Sequence, residues 1–115
     1  MFETEIVEGW AGSRLNLTCG EMQAINITDV IIGDSYCPAT SCCIIHSRCN
    51  YTANESHLTD VRRTCDNKER CTITAVQERI PCGSLGMTES DFERIVYICV
   101  GDPRSKLKVL KCPQL

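Results

Sequence analysis

Apolar and polar residues alternate with a period of two in several segments of the chain, as in a β-strand with one buried face. Two such segments lie close together near the N-terminus, at residues 14–19 and 24–28. The polar positions between the apolar ones would then face solvent. The side chains that we expect to face the interior are Leu15, Leu17, Cys19, Ile25 and Ile27.

Two further alternating segments predict strands in the second half of the chain. They occupy residues 71–76 and 94–100. We expect the second strand to end at Gly101-Asp102-Pro103, because proline cannot donate a hydrogen bond to a strand ladder. Residues 106–112 also alternate, as an edge strand or the start of a linker would.

One segment favours a short helix instead. Leu58, Val61 and Cys65 are spaced so that they share one face of a helix, and Ser56 stands where its N-terminal cap would be. The region from residue 33 to residue 56 shows little periodicity and predicts a long loop. We therefore expect a small α+β domain, mainly antiparallel β-sheet with one short helix and long disulfide-tied loops.

Cysteine is unusually frequent, with ten residues in a chain of 115. An even number at this density predicts five disulfides, which persist outside the cell or in the secretory lumen. Zinc binding is the alternative, but close cysteine pairs do not repeat at zinc-site spacing and the chain has only two histidines. We therefore expect no metal and no cofactor.

Four of the five asparagines head an Asn-x-Ser/Thr acceptor triplet for N-glycosylation. Glycans require solvent, so these side chains should point outward. Together with the cysteines they predict an extracellular domain, either secreted or part of the ectodomain of a membrane protein. The acceptors are Asn16, Asn26, Asn50 and Asn54.

The remaining composition excludes two classes of partner. No stretch approaches the length of a membrane span, and a net charge of −3 disfavours nucleic acid. The first five residues are acidic and lack the apolar run of a signal peptide, so we expect a mature fragment with an added Met.

Residues 42–49, Cys-Cys-Ile-Ile-His-Ser-Arg-Cys, resemble the active-site helix of secreted phospholipases A2. In that family the histidine is a general base and an adjacent aspartate holds calcium. Here Ser47 follows His46, and no glycine-rich calcium loop precedes the motif. The other histidine, His57, is expected to be a solvated residue at the helix start. We therefore predict no catalytic residues and no enzymatic activity, and a secreted phospholipase-like hydrolase stays as a minor alternative.

Several short elements follow one another in a fixed order over residues 5–100. They are Glu8-Gly9-Trp10, Leu15-x-Leu17-x-Cys19, Ile32-Gly33-Asp34, Arg63-Thr64-Cys65 with Cys71, Pro81-Cys82 and Val96-Tyr97-Ile98-Cys99. This order resembles the sea urchin egg lectin type domain, the rhamnose- or galactose-binding lectin module that also occurs at the N-terminus of latrophilin adhesion receptors. The resemblance implies a lectin-like domain at residues 1–100 and a C-terminal extension or linker at residues 101–115, tied by Cys112.

The resemblance also implies three disulfides, which are Cys19–Cys99, Cys49–Cys82 and Cys65–Cys71. Four cysteines then remain for two further bridges, and four cysteines allow three pairings. Adjacent cysteines bond each other only under strain, so we expect Cys37 and Cys112 each to pair with Cys42 or Cys43.

Members of this lectin family hold vicinal sugar hydroxyls with fixed carboxylates and a cation. The resemblance implies four candidate carbohydrate-binding residues, which are Glu8, Gly33, Asp34 and Asp91. Asp34 replaces an arginine of the family, and Ile32, Ile80 and the Asp91-Phe92-Glu93 segment replace polar groups that would meet the sugar. These changes predict that the usual pocket is lost, because isoleucine cannot bond a hydroxyl.

The expected function is extracellular recognition or cell adhesion by a receptor-like protein, through binding of a protein or glycoprotein partner. The alternative is a true carbohydrate-binding lectin with a pocket remodelled around Glu8, Asp34 and Asp91. Calcium would suit such a pocket because it prefers carboxylate oxygens.

Overall fold

A computed structural model describes residues 3–35, 47–83 and 86–101. Within these residues the chain forms antiparallel strands and one short helix, which confirms the predicted α+β class. In chain order the elements are β1 (Thr4–Trp10), β2 (Arg14–Thr18), β3 (Gln23–Ser35), β4 (Ser47–Thr52), α1 (Glu55–Cys65), β5 (Arg70–Thr74), β6 (Arg79–Pro81), β7 (Met87–Glu89) and β8 (Phe92–Gly101).

The largest sheet has the strand order β1-β8-β3-β4, so β1 and β4 form its two edges. Two smaller ribbons pair β2 with β5 and β6 with β7. The core lies where the inner face of the large sheet packs against the β2–β5 ribbon and α1. The five side chains predicted to face the interior all contribute: four are buried and Cys19 packs against them.

The long strand β3 contains a bulge between Ile27 and Asp29. Because the side-chain period of a strand is two, the extra residue resets which positions face inward. Ile27 and Val30 are three residues apart, yet both are at most 2% exposed. The bulge therefore keeps both halves of this strand in the same core.

Helix α1 uses Asn54 as its N-cap, since the Asn54 side chain accepts a hydrogen bond from the His57 N–H at 2.8 Å. The cap, which was expected near Ser56, therefore lies two residues before it. The predicted apolar face is confirmed, because Val61 and Cys65 are buried and Leu58 packs against the core.

The long loop expected from residue 33 to residue 56 was wrong at both ends. Strand β3 continues to Ser35, and residues 47–52 form β4, which pairs with it across another register shift. Backbone pairing with β3 holds β4 in place although its sequence lacks regular alternation.

Three disulfides connect the described elements, and they are the three that the lectin resemblance implies. Cys19–Cys99 joins the end of β2 to β8, Cys49–Cys82 joins β4 to the end of β6, and Cys65–Cys71 closes the turn between α1 and β5. The predictions for Cys37, Cys42, Cys43 and Cys112, for His46 and for the extension that begins after Gly101 lie outside the described residues.

Candidate functional site

Three of the four candidate sugar-binding residues meet at one end of the large sheet. Gly33 on β3 lies opposite Phe92 on β8, and Asp34 follows it. The Asp91 N–H donates to the Gly33 carbonyl at 2.8 Å. Glu8 lies on β1 opposite Arg94, which is two residues after Phe92 on the same face of β8. The sheet register thus brings together residues that are 58 positions apart in the chain, from Gly33 to Asp91.

Both carboxylate oxygens of Asp91 accept hydrogen bonds from Ser35. The Ser35 N–H donates to Oδ1 at 3.0 Å, and the Ser35 hydroxyl donates to Oδ2 at 2.7 Å. Asp91 therefore fixes the end of β3 against the start of β8, and each of its two oxygens accepts one hydrogen bond from Ser35.

Asp34 is almost buried and is paired with an arginine. It is 7% exposed, and Arg48 on β4 donates to its Oδ2 from Nε at 3.1 Å and from Nη2. A sugar hydroxyl at this oxygen would compete with a guanidinium, which is the stronger donor because it is charged.

Glu8 forms an ion pair across the sheet. Arg94 Nε donates to Glu8 Oε2 at 2.8 Å, and the guanidinium also lies 5.4 Å from the centre of the Phe92 ring. The two side chains are one third exposed or less. This pair is the most accessible part of the candidate site.

Gly33 leaves no space for a ligand above its backbone. A Cβ there would lie 2.7 Å from the Cys49 carbonyl oxygen and closer still to the Phe92 ring. Phe92 is fully buried and fills the space that the missing side chain leaves. Glycine at this position therefore serves packing between β3, β8 and β4.

Two family positions that would contact a sugar lie in the core of this domain. Ile32 is 0% exposed and Ile80 is 1% exposed, and both belong to the same buried apolar cluster. These two side chains cannot form a hydrogen bond with a sugar hydroxyl, and neither of them reaches the surface.

Glu93 is a charged residue of this segment that the sequence did not single out. It is 0% exposed, accepts the Val76 N–H at 2.9 Å with Oε1 and meets His57 Nε2 at 2.8 Å with Oε2. The expectation that His57 is solvated was wrong, since its side chain is only 14% exposed. A glutamate in an alternating strand gives no signal of burial, because the partner that allows it lies 36 residues away.

The hydrogen bond that His57 donates to the Glu93 carboxylate raises the pKa of His57 above its ordinary value near 6.5, and nearby carboxylates add to this effect. Burial acts in the opposite direction without overcoming it. The protonated histidine and the buried carboxylate thus form an ion pair between α1 and β8.

The described residues contain no group of three or more His, Cys, Asp or Glu side chains arranged to hold a metal ion. The carboxylates proposed for calcium are instead turned to Ser35, Arg48 and Arg94.

An open depression of about 680 Å³ lies near the other end of the sheet, beside the Cys19–Cys99 disulfide. Its walls include Glu3 and Glu5, together with Tyr97 and Gln23. None of the four candidate sugar-binding residues lines it.

The four acceptor asparagines are all exposed, as predicted for glycosylation sites. Asn54 caps α1 through its carbonyl oxygen, and Asn16 accepts a hydrogen bond from the Thr72 hydroxyl through the same atom. N-glycans attach to the amide nitrogen, so these bonds leave the attachment atom available.

No protein-family model matches this chain, and no curated protein or solved structure matches it at a significant level. The likeness to the lectin module therefore stays a prediction. The described part of the chain also holds no helix with the length and apolar character that a membrane crossing requires.

Proposed function

We propose that this domain is an extracellular recognition module that binds a protein partner without catalysis, on a lectin-type scaffold whose sugar site is degenerate. One observation carries the proposal: the candidate carboxylates of the sugar site are bonded within the domain. Asp91 is held by Ser35, Asp34 by Arg48 and Glu8 by Arg94.

A sugar site needs fixed polar groups whose hydrogen-bonding capacity is available to the hydroxyls, since these groups give hydroxyl recognition its selectivity. Here each carboxylate already spends part of its hydrogen-bonding capacity on a partner inside the domain. Recognition through the shape of a larger surface requires no such exchange.

The extracellular location is supported by two independent features. Three disulfides connect the described elements, two of them across 33 and 80 residues, and such bridges persist in oxidising compartments. The four exposed acceptor asparagines fit an environment in which glycans are added.

The second candidate function is carbohydrate binding of the rhamnose or galactose class. It is favoured by the clustering of Gly33, Asp34 and Asp91 at one end of the sheet, with Glu8 nearby. Its most accessible pair, Glu8 and Arg94, would be the expected point of contact.

The test is a glycan array and a cell-surface binding assay with the same enzymatically deglycosylated domain. We expect a blank array together with saturable cell binding that free rhamnose and galactose do not compete for. Array binding to either sugar that Glu8→Gln and Asp91→Asn remove would overturn the proposal in favour of a lectin. Absence of saturable cell binding would overturn the recognition proposal itself.

A further inference from the structure

Strand β1 is an edge of the large sheet that lacks the lysine, the proline and the bulge by which many proteins block edge pairing, and its charged residues are Glu5 and Glu8. It pairs with β8 over seven consecutive residues without a register shift, and Thr4–Trp10 contains no lysine and no proline. On an edge strand, half of the backbone N–H and C=O groups point away from the sheet. Such an edge is a template for another strand.

The opposite edge is protected. Strand β4 meets β3 across a bulge between Asp34 and Ser35, carries Arg48, and presents the glycan acceptor Asn50. A glycan at Asn50 would cover that edge with bulk that excludes a neighbouring strand. Among the described residues the two edges therefore differ, and β1 is the one that more readily accepts a further strand.

The side chains along β1 define the chemistry of a fitting strand. Ile6 is 60% exposed and lies opposite Val96, on the outer face of the sheet. Glu5 lies opposite Tyr97 on the inner face and lines the acidic depression together with Glu3. A neighbouring strand would therefore meet an apolar side chain on one face and carboxylates on the other.

We propose that β1 binds an extended segment of a partner protein by strand addition, and that this segment alternates basic and apolar residues. Its backbone completes the hydrogen bonds of the edge, its Lys or Arg side chains lie beside Glu3 and Glu5, and its apolar side chains cover Ile6. The proposal rests on the proposed recognition function and names the class of partner.

The probe is a synthetic six-residue peptide of alternating Lys and Val, titrated into the full chain and followed by NMR of the backbone amides. We expect chemical-shift changes concentrated in β1 and slower amide exchange at its outward N–H groups. A peptide of alternating Glu and Val should bind at least about fivefold more weakly, since close charges of opposite sign contribute about that factor. A Lys-Val peptide N-methylated on the pairing edge should not bind.

Two variants test the named side chains. Glu5→Lys should weaken the Lys-Val peptide about fivefold, because it removes an attractive charge and adds a repulsive one. Ile6→Lys places on the edge the residue that natural sheets use to block pairing, and it should abolish binding. Glu89→Lys, an exposed change of the same charge on β7, is the matched control and should bind as the parent does.

Three outcomes would overturn the strand-addition proposal. They are binding that survives N-methylation, binding that Glu5→Lys and Ile6→Lys leave unchanged, and outward β1 amides that are already slow to exchange in the isolated chain. The last result would mean that a second copy or another segment of this chain occupies the edge. Cell binding that persists in Ile6→Lys would reject this edge as the contact while the recognition function stands.

Discussion

Glu93 connects three parts of the fold from a position without solvent. Its two oxygens reach the Val76 N–H and the His57 ring, which bring the segment after β5 and the start of α1 onto β8. A buried carboxylate is costly unless it is paired, and removing its partner leaves the cost without compensation. The protonation of His57 therefore contributes to stability.

We predict that the domain loses stability as the pH rises above neutrality. Because the pKa of His57 is raised in the folded state, its contribution is complete below the ordinary value near 6.5 and is lost as the pH rises through the raised pKa. Urea unfolding between pH 6 and pH 9 should show this decline in the parent. In His57→Gln the free energy of unfolding should change less over the same pH range. Parallel profiles for the two proteins would refute the role of the ion pair between His57 and Glu93.

Gly33 offers a sharper test of packing at the candidate site. Gly33→Ala should destabilise the domain by about 2 kcal/mol, because the new methyl group overlaps the Phe92 ring and the Cys49 carbonyl. Gly101→Ala, where no atom lies within 4 Å of the added Cβ, is the control and should change stability by less than about 0.5 kcal/mol. Equal unfolding midpoints for the two variants would show that Gly33 is not constrained by packing.

The bulge in β3 depends on the turn that follows α1. Asp66 Oδ1 accepts the Ile27 N–H at 2.8 Å, and Asn67 and Lys68 exchange backbone hydrogen bonds with Ile25. The side chain of Asp66 thus supplies an acceptor to a strand N–H beside the bulge. The turn and the bulge stabilise each other.

Asp66→Ala should therefore destabilise the domain by about 1–2 kcal/mol, because a partly buried N–H loses its acceptor. Asp66→Asn keeps an oxygen at the same place and should retain most of the stability. Thermal unfolding of both variants separates the hydrogen bond from the charge. A loss of equal size in the two would assign the effect to charge instead.

The sequence predicts those elements whose pattern is local. The spacing of Leu58, Val61 and Cys65 predicts the buried face of α1. The alternation around Leu15 and Ile25 predicts two strands. Strand β4 escaped prediction because its residues follow no period and gain their conformation from β3. The sequence did not identify Asn54 as the cap, because both Asn and Ser side chains can accept hydrogen bonds from the first helical N–H groups.

The three described disulfides close loops of very different length. Cys19–Cys99 spans 80 residues, whereas Cys65–Cys71 spans 6. A bridge that closes a longer loop restricts the unfolded chain more. The two bridges should therefore contribute unequally to the stability of the whole domain.

Replacing Cys19 and Cys99 by alanine should cost about 4 kcal/mol, and the same change at Cys65 and Cys71 about 2 kcal/mol. Urea unfolding under non-reducing conditions measures both. A larger loss for the short bridge would mean that buried packing around Cys65, which is 0% exposed, outweighs chain entropy.

The candidate site could be predicted only in part because its chemistry depends on long-range register. The resemblance named Gly33, Asp34 and Asp91, and the sheet does place them together. Which groups bond them could not be read from sequence, since Arg48 and Arg94 come from neighbouring strands. The sequence does not distinguish a carboxylate that is available to a ligand from one that forms hydrogen bonds within the fold.

The Cys19–Cys99 bridge also determines how the domain would respond to tension. Thr4 and Ile98 face each other, so a force that separates residues 3 and 101 would peel β1 from β8 one pair at a time. Strand separation would stop at the disulfide, which then bears the force. The residues between 19 and 99 would therefore carry no tension. The domain could thus lengthen by at most about 55 Å, the reach of some 16 extended residues, and the last part of that extension would pull the buried Leu15 and Leu17 out of the core.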